Sequence, residues 1–357
     1  MLVVDHRLPT PDRDAGSMRL WATIESLLEL GCRVVMLPDD QAARQPAASE
    51  LQGMGVEVLV GPLDVAAKIG QLGDRLDLAI LCRPYVAPRY LHLIRRLAPR
   101  ARIAYDTVDL HFLREERRIG HEGGGDLAPA ASFKELELGI MRACDLTFVA
   151  GPYEQEMLRD LVPGAEIDVL SFVHAAREDV PGPGRRSGLL FVGGFEHDPN
   201  VDAALHLGHD IMPRVRSELG GGGRLSIVGP NPPAEVRALA APDIEVKGWV
   251  QDLDPVIDEA MVSVAPLRYG AGIKGKVTLS LASGLPVVTS SIGAEGLSAR
   301  DGRDLMVADD ADSFARKVVD LHRDPELWSE LSRSGRRLAE RVTSRETQLA
   351  ALRAALR

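Results

Sequence analysis

Short apolar runs bounded by turn residues alternate with longer helix-period segments along the whole chain, and that alternation admits few architectures. Strands separated by helices read as βαβ units of a parallel sheet. In the first half the apolar runs fall near residues 2–5, 33–37, 56–60, 77–82, 101–105 and 146–149, with helices over 17–30, 43–53, 64–72, 87–97 and 131–142. A second series follows: LLFVGGF (189–195), RLSIVG (224–229), IEVKGWV (244–250), MVSVAPL (261–267), LPVVTSS (285–291) and DLMVAD (304–309). Between the two series lies HAAREDVPGPGRRS (174–187), whose Pro, Gly and charge read as a linker. At 357 residues the chain also exceeds the usual size of one core. The expected fold is α/β, with two Rossmann-like, doubly wound parallel-sheet domains. Ligands of such sheets sit outside the carboxyl ends of the strands, so the expected site is an interdomain cleft that both domains face.

Charge and cysteine content narrow the function. Asp and Glu number 52 against 42 Lys and Arg, a net charge of −10, which argues against nucleic acid as a partner. The three cysteines, Cys32, Cys82 and Cys144, lack metal-ligand spacing and fit a reduced, cytoplasmic setting. No apolar run approaches the ~20 residues of a membrane span, and a strand rather than a signal peptide follows Met1. The expected location is the cytoplasm, with peripheral association at the inner face of the membrane as a further option.

Against that acidic background one basic turn stands out, in VAPLRYGAGIKGKVTLSLASGLPVVTSSIGAEGL (264–297). Gly270 and Gly272 allow close approach of the main chain. The helix that follows presents free N–H groups and a positive dipole end to the turn. Arg268, Lys274 and Lys276 add charge at the same place. The reading is a diphosphate site, although a glycine turn before a helix is often purely structural. Neither a Walker loop nor a GxGxxG in the first βαβ unit is present.

Other strand-end loops supply further candidates. DHRLPTPDRDAGSMRL (5–20) is longer than a βα loop needs; Gly16, Ser17 as helix N-cap and Arg19 become ligand-side candidates. In DTVDLHFLREERR (106–118), Asp109 is a candidate helix cap and His111 lies in the first turn, where it could transfer a proton or bind a hydroxyl group. Gly193 and Gly194 end a strand and are either a second ligand contact or a tight turn, with Asn200 as the next helix cap. Trp249 and Val250, after another strand, could hold a flat base, and Glu295 is a carboxylate near the expected cleft.

With FVGGFEHDPNVDAA, SIVGPNPP, VKGWVQDLDPVIDEA, VAPLRYGAGIKGKV, GLPVVTSSIGAEGL, DHRLPTPDRDAGSMR and AYDTVDLHFLREERR in view, the chain resembles the family 4 glycosyltransferases of the GT-B fold. The likeness is nearest to bacterial members that build cell-surface polysaccharides. It implies domains over 1–178 (acceptor side) and 188–335 (nucleotide sugar), a linker over 179–187, and a C-terminal helix over 336–357 that would pack back on the first domain. It also implies a retaining, metal-independent transfer of a sugar from a nucleotide-diphosphate donor to a glycan or lipid-linked acceptor, with no cofactor. Donor-binding residues would be Gly193, Gly194, Trp249, Val250, Arg268, Gly270, Gly272, Lys274, Lys276 and Glu295. Gly16, Ser17 and Arg19 would lie on the acceptor side, with Asp109 and His111 as catalytic candidates.

Two departures bear on this expectation. The carboxylate pair E-x7-E of many members projects onto Ala271 and Leu279, and the Arg and Lys that many carry after the first strand of the second domain are absent. A sugar-nucleotide epimerase or hydrolase on the same fold, or a non-catalytic sugar-nucleotide-binding module, are the alternatives. Asp12-Arg13-Asp14 has DxD spacing but lies in the first-domain loop, so no metal site is assigned.

Overall fold

The structure is a computed structural model and describes residues 1–220 and 223–357. The chain forms two compact units: Met1–Pro11 with Gly16–Phe172 and Arg345–Arg357, and Asp12–Ala15 with Val173–Ser344.

The first unit runs β1 (Leu2–Asp5), α1 (Ala15–Glu29), β2 (Val35–Pro38), α2 (Ala47–Gly53), β3 (Glu57–Val58), α3 (Val65–Leu72), β4 (Leu78–Cys82), α4 (Ala87–Leu97), β5 (Arg102–Asp106), α5 (His111–His121), α6 (Ala128–Ala143), β6 (Leu146–Val149), α7 (Pro152–Leu161) and β7 (Ile167–Val169). All seven strands are parallel, in the order β3-β2-β1-β4-β5-β6-β7. Strands β1 and β4 are buried at every residue, which is why they read as unbroken apolar runs. Val3, Met36, Ile80 and Phe148 of the sheet share one core with Ile24 and Leu27 of α1. The last helix returns to this unit and adds Leu352 and Ala355 to the same core. Sequence reading omitted β7 and α7, and gave β3 five residues where two pair.

The second unit runs β8 (Leu189–Val192), α8 (Asp198–His206), a π-turn (Leu207–Ile211), α9 (Met212–Leu219), β9 (Leu225–Val228), α10 (Ala234–Arg237), β10 (Ile244–Gly248), α11 (Asp254–Glu259), β11 (Val262–Ala265), α12 (Gly275–Ala282), β12 (Val287–Thr289), α13 (Ser291–Ala294), β13 (Met306–Val307), α14 (Ala311–Arg323) and α15 (Pro325–Val342). Helix α16 (Arg345–Ala355) is the one that joins the first unit. The six strands are parallel, in the order β10-β9-β8-β11-β12-β13. Phe191, Ile227, Val264 and Val288 meet Ile211, Phe314 and Trp328 in its core.

The segment 174–187 is not the free linker its composition suggests. Arg177 binds both carboxylate oxygens of Asp258 at 2.8 Å, and its N–H donates to the Ala282 carbonyl at 2.9 Å. Arg186 donates to the carbonyls of Pro181, Ile257 and Ala260. Two arginines thus strap a Pro/Gly-rich stretch to the second unit.

Candidate functional site

In the second sheet the strand order reverses between β8 and β11, and an open α/β sheet binds ligands at such a reversal. The Gly193-Gly194 turn leaves β8 there, and the Arg268–Lys276 segment leaves β11. The sequence candidates for donor binding therefore converge from two distant stretches of chain.

Asn200 joins these stretches. It is not the helix cap expected from sequence: His197 is the N-cap residue of α8, and Asn200 lies in the first turn. Its Nδ2 donates to the Gly194 carbonyl at 2.7 Å, and its Oδ1 accepts from the Lys276 ammonium. A Cβ at residue 193 would come within 2.9 Å of Asn200 Cγ. The absence of a side chain at 193 makes room for Asn200. Lys276 sits with its ammonium 4.7 Å from the centre of the Phe191 ring. Burial, with Lys274 nearby, brings its pKa down to about 7. Among the described residues its polar partner is the neutral amide of Asn200, so it holds a cation with no carboxylate against it.

The basic turn is built as its glycines demand. Gly270 has φ 145° and Gly272 φ 69°, both unfavourable for a side-chain-bearing residue. The Lys274 ammonium folds back on the turn and donates to the carbonyls of Gly272 and Ala271. Lys274 is also the N-cap residue of α12 and supplies no side-chain cap. Arg268 grips both carboxylate oxygens of Asp202 of α8 through one guanidinium edge, with Nε to Oδ2 at 2.9 Å.

The remaining donor-side candidates scatter in role. Trp249 is 40% exposed, with the Arg13 guanidinium 4.6 Å from its ring centre. Val250 packs in an apolar cluster with Ile257, Leu190 and Leu285, and Leu279 packs in that same cluster. Ala271 is buried. Neither Ala271 nor Leu279, onto which the expected carboxylate pair projects, carries a side-chain acceptor. Glu295 follows α13 as its C-cap residue, whereas the N-terminal cap is Ser290, whose Oγ accepts from Gly293 N at 3.1 Å.

In the first sheet the reversal lies between β1 and β4. Asp5 ends β1, buried, and accepts from Arg83 Nε at 2.7 Å and from His6 N at 2.7 Å. Burial alone would raise its carboxyl; Arg83 and His6 hold it below its ordinary range. Arg83 follows β4 at φ 71°, a conformation uncommon outside glycine. The Tyr85 ring stands edge-on to His6 at 6.3 Å and to His111 at 5.8 Å, and is 45% exposed.

His111 opens α5, as expected. Its Nδ1 lies 3.2 Å from the Asp109 carbonyl. A carbonyl only accepts, so Nδ1 carries the proton and Nε2 is the acceptor in the neutral ring. Burial favours that neutral form by lowering the His111 pKa, with Asp109 opposing. Asp109 itself does not cap α5; it pairs with Arg114, and Leu110 is the N-cap residue. Val108 holds φ 64°, strained for a β-branched residue, and Asp106 Oδ1 accepts its N–H at 3.0 Å.

The acceptor-side candidates are corrected by the structure. Helix α1 begins at Ala15, so Gly16 and Ser17 lie inside its first turn and Ser17 is not a cap. Arg19 is 1% exposed and spends its guanidinium on both oxygens of Asp106, at 2.8 and 3.0 Å, and on the Leu170 carbonyl at 2.7 Å. A side chain so enclosed holds β5 to α1 rather than a ligand. Sequence reading missed Arg83, Tyr85 and Glu137. Arg83-Pro84-Tyr85 directly after a strand was the available signal, but the pairing of β4 with β1 is invisible in chain order.

Among the described residues no three His, Cys, Asp or Glu side chains group as metal ligands, and no helix is long and apolar enough to cross a membrane.

Residues 186–324 match the family model described as glycosyl transferases group 1. No curated protein matches the chain by sequence. Among solved structures, sucrose-phosphate synthase from Thermosynechococcus elongatus is similar at a TM-score of 0.75 and 15% identity, over 99% of this chain and 97% of that one. HepE from Anabaena, solved with UDP and glucose, is similar at 0.75 and 12% identity, over 99% and 98%. TarM from S. aureus, solved with UDP among its ligands, is similar at 0.64 and 12% identity, over 81% of this chain and 58% of that one.

Proposed function

From a group 1 glycosyltransferase region set in a GT-B fold, we propose that this chain transfers a sugar from a nucleotide-diphosphate donor to a hydroxyl of a glycan or lipid-linked acceptor, with retention and without a metal. The observation that carries the reading is the convergence of Lys274, Lys276 and the Gly270–Gly272 turn on the strand-order reversal of the second sheet. A leaving diphosphate develops negative charge, and fixed cations and main-chain N–H groups stabilise it at the moment it forms. Lys276 supplies at the Gly193–Gly194 loop a charge that the loop itself lacks.

In the proposed reaction the bond from the anomeric carbon to the β-phosphate oxygen breaks, and the acceptor oxygen bonds to that carbon on the same face. The departing phosphate oxygen takes the acceptor proton, so no protein base is needed. His111, neutral and with Nε2 as acceptor, is suited to receive a hydrogen bond from a sugar hydroxyl. Trp249, 40% exposed, offers its ring for a base. HepE, crystallised with UDP-glucose, supports this class of donor by analogy of fold. Cytoplasmic residence and docking at the inner membrane face belong to the same proposal.

Incubating the protein with a panel of nucleotide sugars tests the reading, with release of nucleoside diphosphate followed with and without glycan or lipid-linked acceptors. Acceptor-dependent release supports transfer. Equal release without acceptor supports the hydrolase alternative, and binding without turnover supports the non-catalytic one.

A further inference from the structure

Helix α5 begins without a cap of its own: its N-cap residue is Leu110, which has no side-chain acceptor. The missing acceptor comes from another helix. Glu137 of α6 is fully buried, and its Oε1 accepts from His111 N at 3.2 Å while its Oε2 accepts from Phe112 N at 2.8 Å. Tyr105 OH donates to Oε1 at 3.4 Å. These N–H groups belong to the first turn of α5, where an unpaired donor is costly once buried. The same Oε1 lies 3.8 Å from His111 Nδ1, while the ring is flanked by Tyr85 and by Phe133, whose ring centre is 5.6 Å away.

We propose that Glu137 is a positioning residue for His111. By accepting the N–H groups of His111 and Phe112 it fixes the start of α5, so that Nδ1 donates to the Asp109 carbonyl and Nε2 remains the acceptor. A carboxyl group serves because each of its two oxygens keeps a lone pair for one backbone donor, in the ionised form and in the protonated form that burial favours; an amide has one oxygen, and its NH2 would face the second donor. In its catalytic consequence the inference rests on the transfer reading above. Its structural core, the tautomer of His111, does not.

Two-bond ¹H–¹⁵N spectra of the histidine rings, recorded on the full chain without substrate, read that tautomer. The wild type is expected to show His111 protonated at Nδ1 alone, with a titration midpoint below the ordinary histidine value. In Glu137→Ala the ring should populate both tautomers and its midpoint move toward the ordinary one. In the same variant, kcat should fall on the order of tenfold or more, in the range where general acid–base and orienting contacts act, with the KM for donor unchanged. Glu137→Gln, which keeps shape and loses one acceptor, should give an intermediate ratio of tautomers and decides the matter if the alanine variant does not fold. A wild-type His111 spectrum in whichever variant folds would overturn the proposal. If the spectra change as expected but no protein transfers sugar, the positioning role stands and the transfer reading falls.

Discussion

The ammonium of Lys276 rests on the side-chain oxygen of Asn200, 76 positions earlier in the chain, at the strand-order reversal of the second sheet, and among the described residues it pairs with no carboxylate. In the free protein its pKa is lowered to about 7 by burial and by Lys274. A diphosphate beside it favours the charged form, so binding above pH 7 takes up a proton and affinity falls as pH rises toward the ordinary lysine range. The slope approaches about tenfold per pH unit. Calorimetric titration of a nucleoside diphosphate near pH 8 in buffers of different ionisation enthalpy should show uptake approaching one proton, lost in Lys276→Met. Heats independent of buffer would contradict this placement of Lys276.

Arg19 is expected to matter for folding. Its ion pair with Asp106 is enclosed on both sides, with 2% and 3% of the two side chains exposed. Removing one partner strands the other charge, which costs about 3–5 kcal/mol. Arg19→Ala should therefore lower the denaturant midpoint of the first unit by a corresponding amount. A variant as stable as the parent but weaker toward acceptor would restore the acceptor-contact role.

Glu137 predicts a pH dependence of stability. Burial lifts its pKa from 4.5 to about 8, against the pull of the Phe112 and His111 N–H groups. Between those values the folded state holds a proton that the unfolded state has released, so stability falls as pH rises across that window. Denaturation of the parent at pH values near 5 and near 8 should show the loss, and Glu137→Gln should flatten it. Equal slopes in the two proteins would place the titration elsewhere.

Much of this architecture was legible because parallel strands buried on both faces leave unbroken apolar runs; β1, β4 and β8 were all read from such runs. What chain order hides is which strands are neighbours. Arg83 faces Asp5 because β4 pairs with β1, and Lys276 reaches Asn200 because β11 pairs with β8. Capping was misread for a related reason. Ser17, Asp109 and Asn200 stand near helix starts and have the right chemistry, yet none caps, and α5 is capped by Glu137 from another helix. The Gly270–Gly272 turn was legible because its φ values leave few residues but glycine.

Charge at the basic turn also predicts the response to chelators. In the proposed transfer, Lys274 and Lys276 would bring to the second sheet's reversal the positive charge that Mg²⁺ would otherwise supply to a leaving diphosphate. Sugar transfer should persist in excess EDTA at close to its full rate. Activity lost with chelator and restored by Mg²⁺ or Mn²⁺ would overturn the charge argument and direct attention to Asp12 and Asp14.

If the turn after β11 binds a nucleoside diphosphate, as proposed, the loss of Lys274 should show it, because its ammonium lies at the Gly272 and Ala271 carbonyls of that turn. A charged hydrogen bond is worth about 1.5–3 kcal/mol. Isothermal titration of UDP, GDP and ADP into the parent should find at least one that binds, and Lys274→Ala, assayed where circular dichroism shows it folded, should weaken that one by roughly 10- to 100-fold. Affinity unchanged in Lys274→Ala, or no binding of any of the three to the parent, would contradict the account.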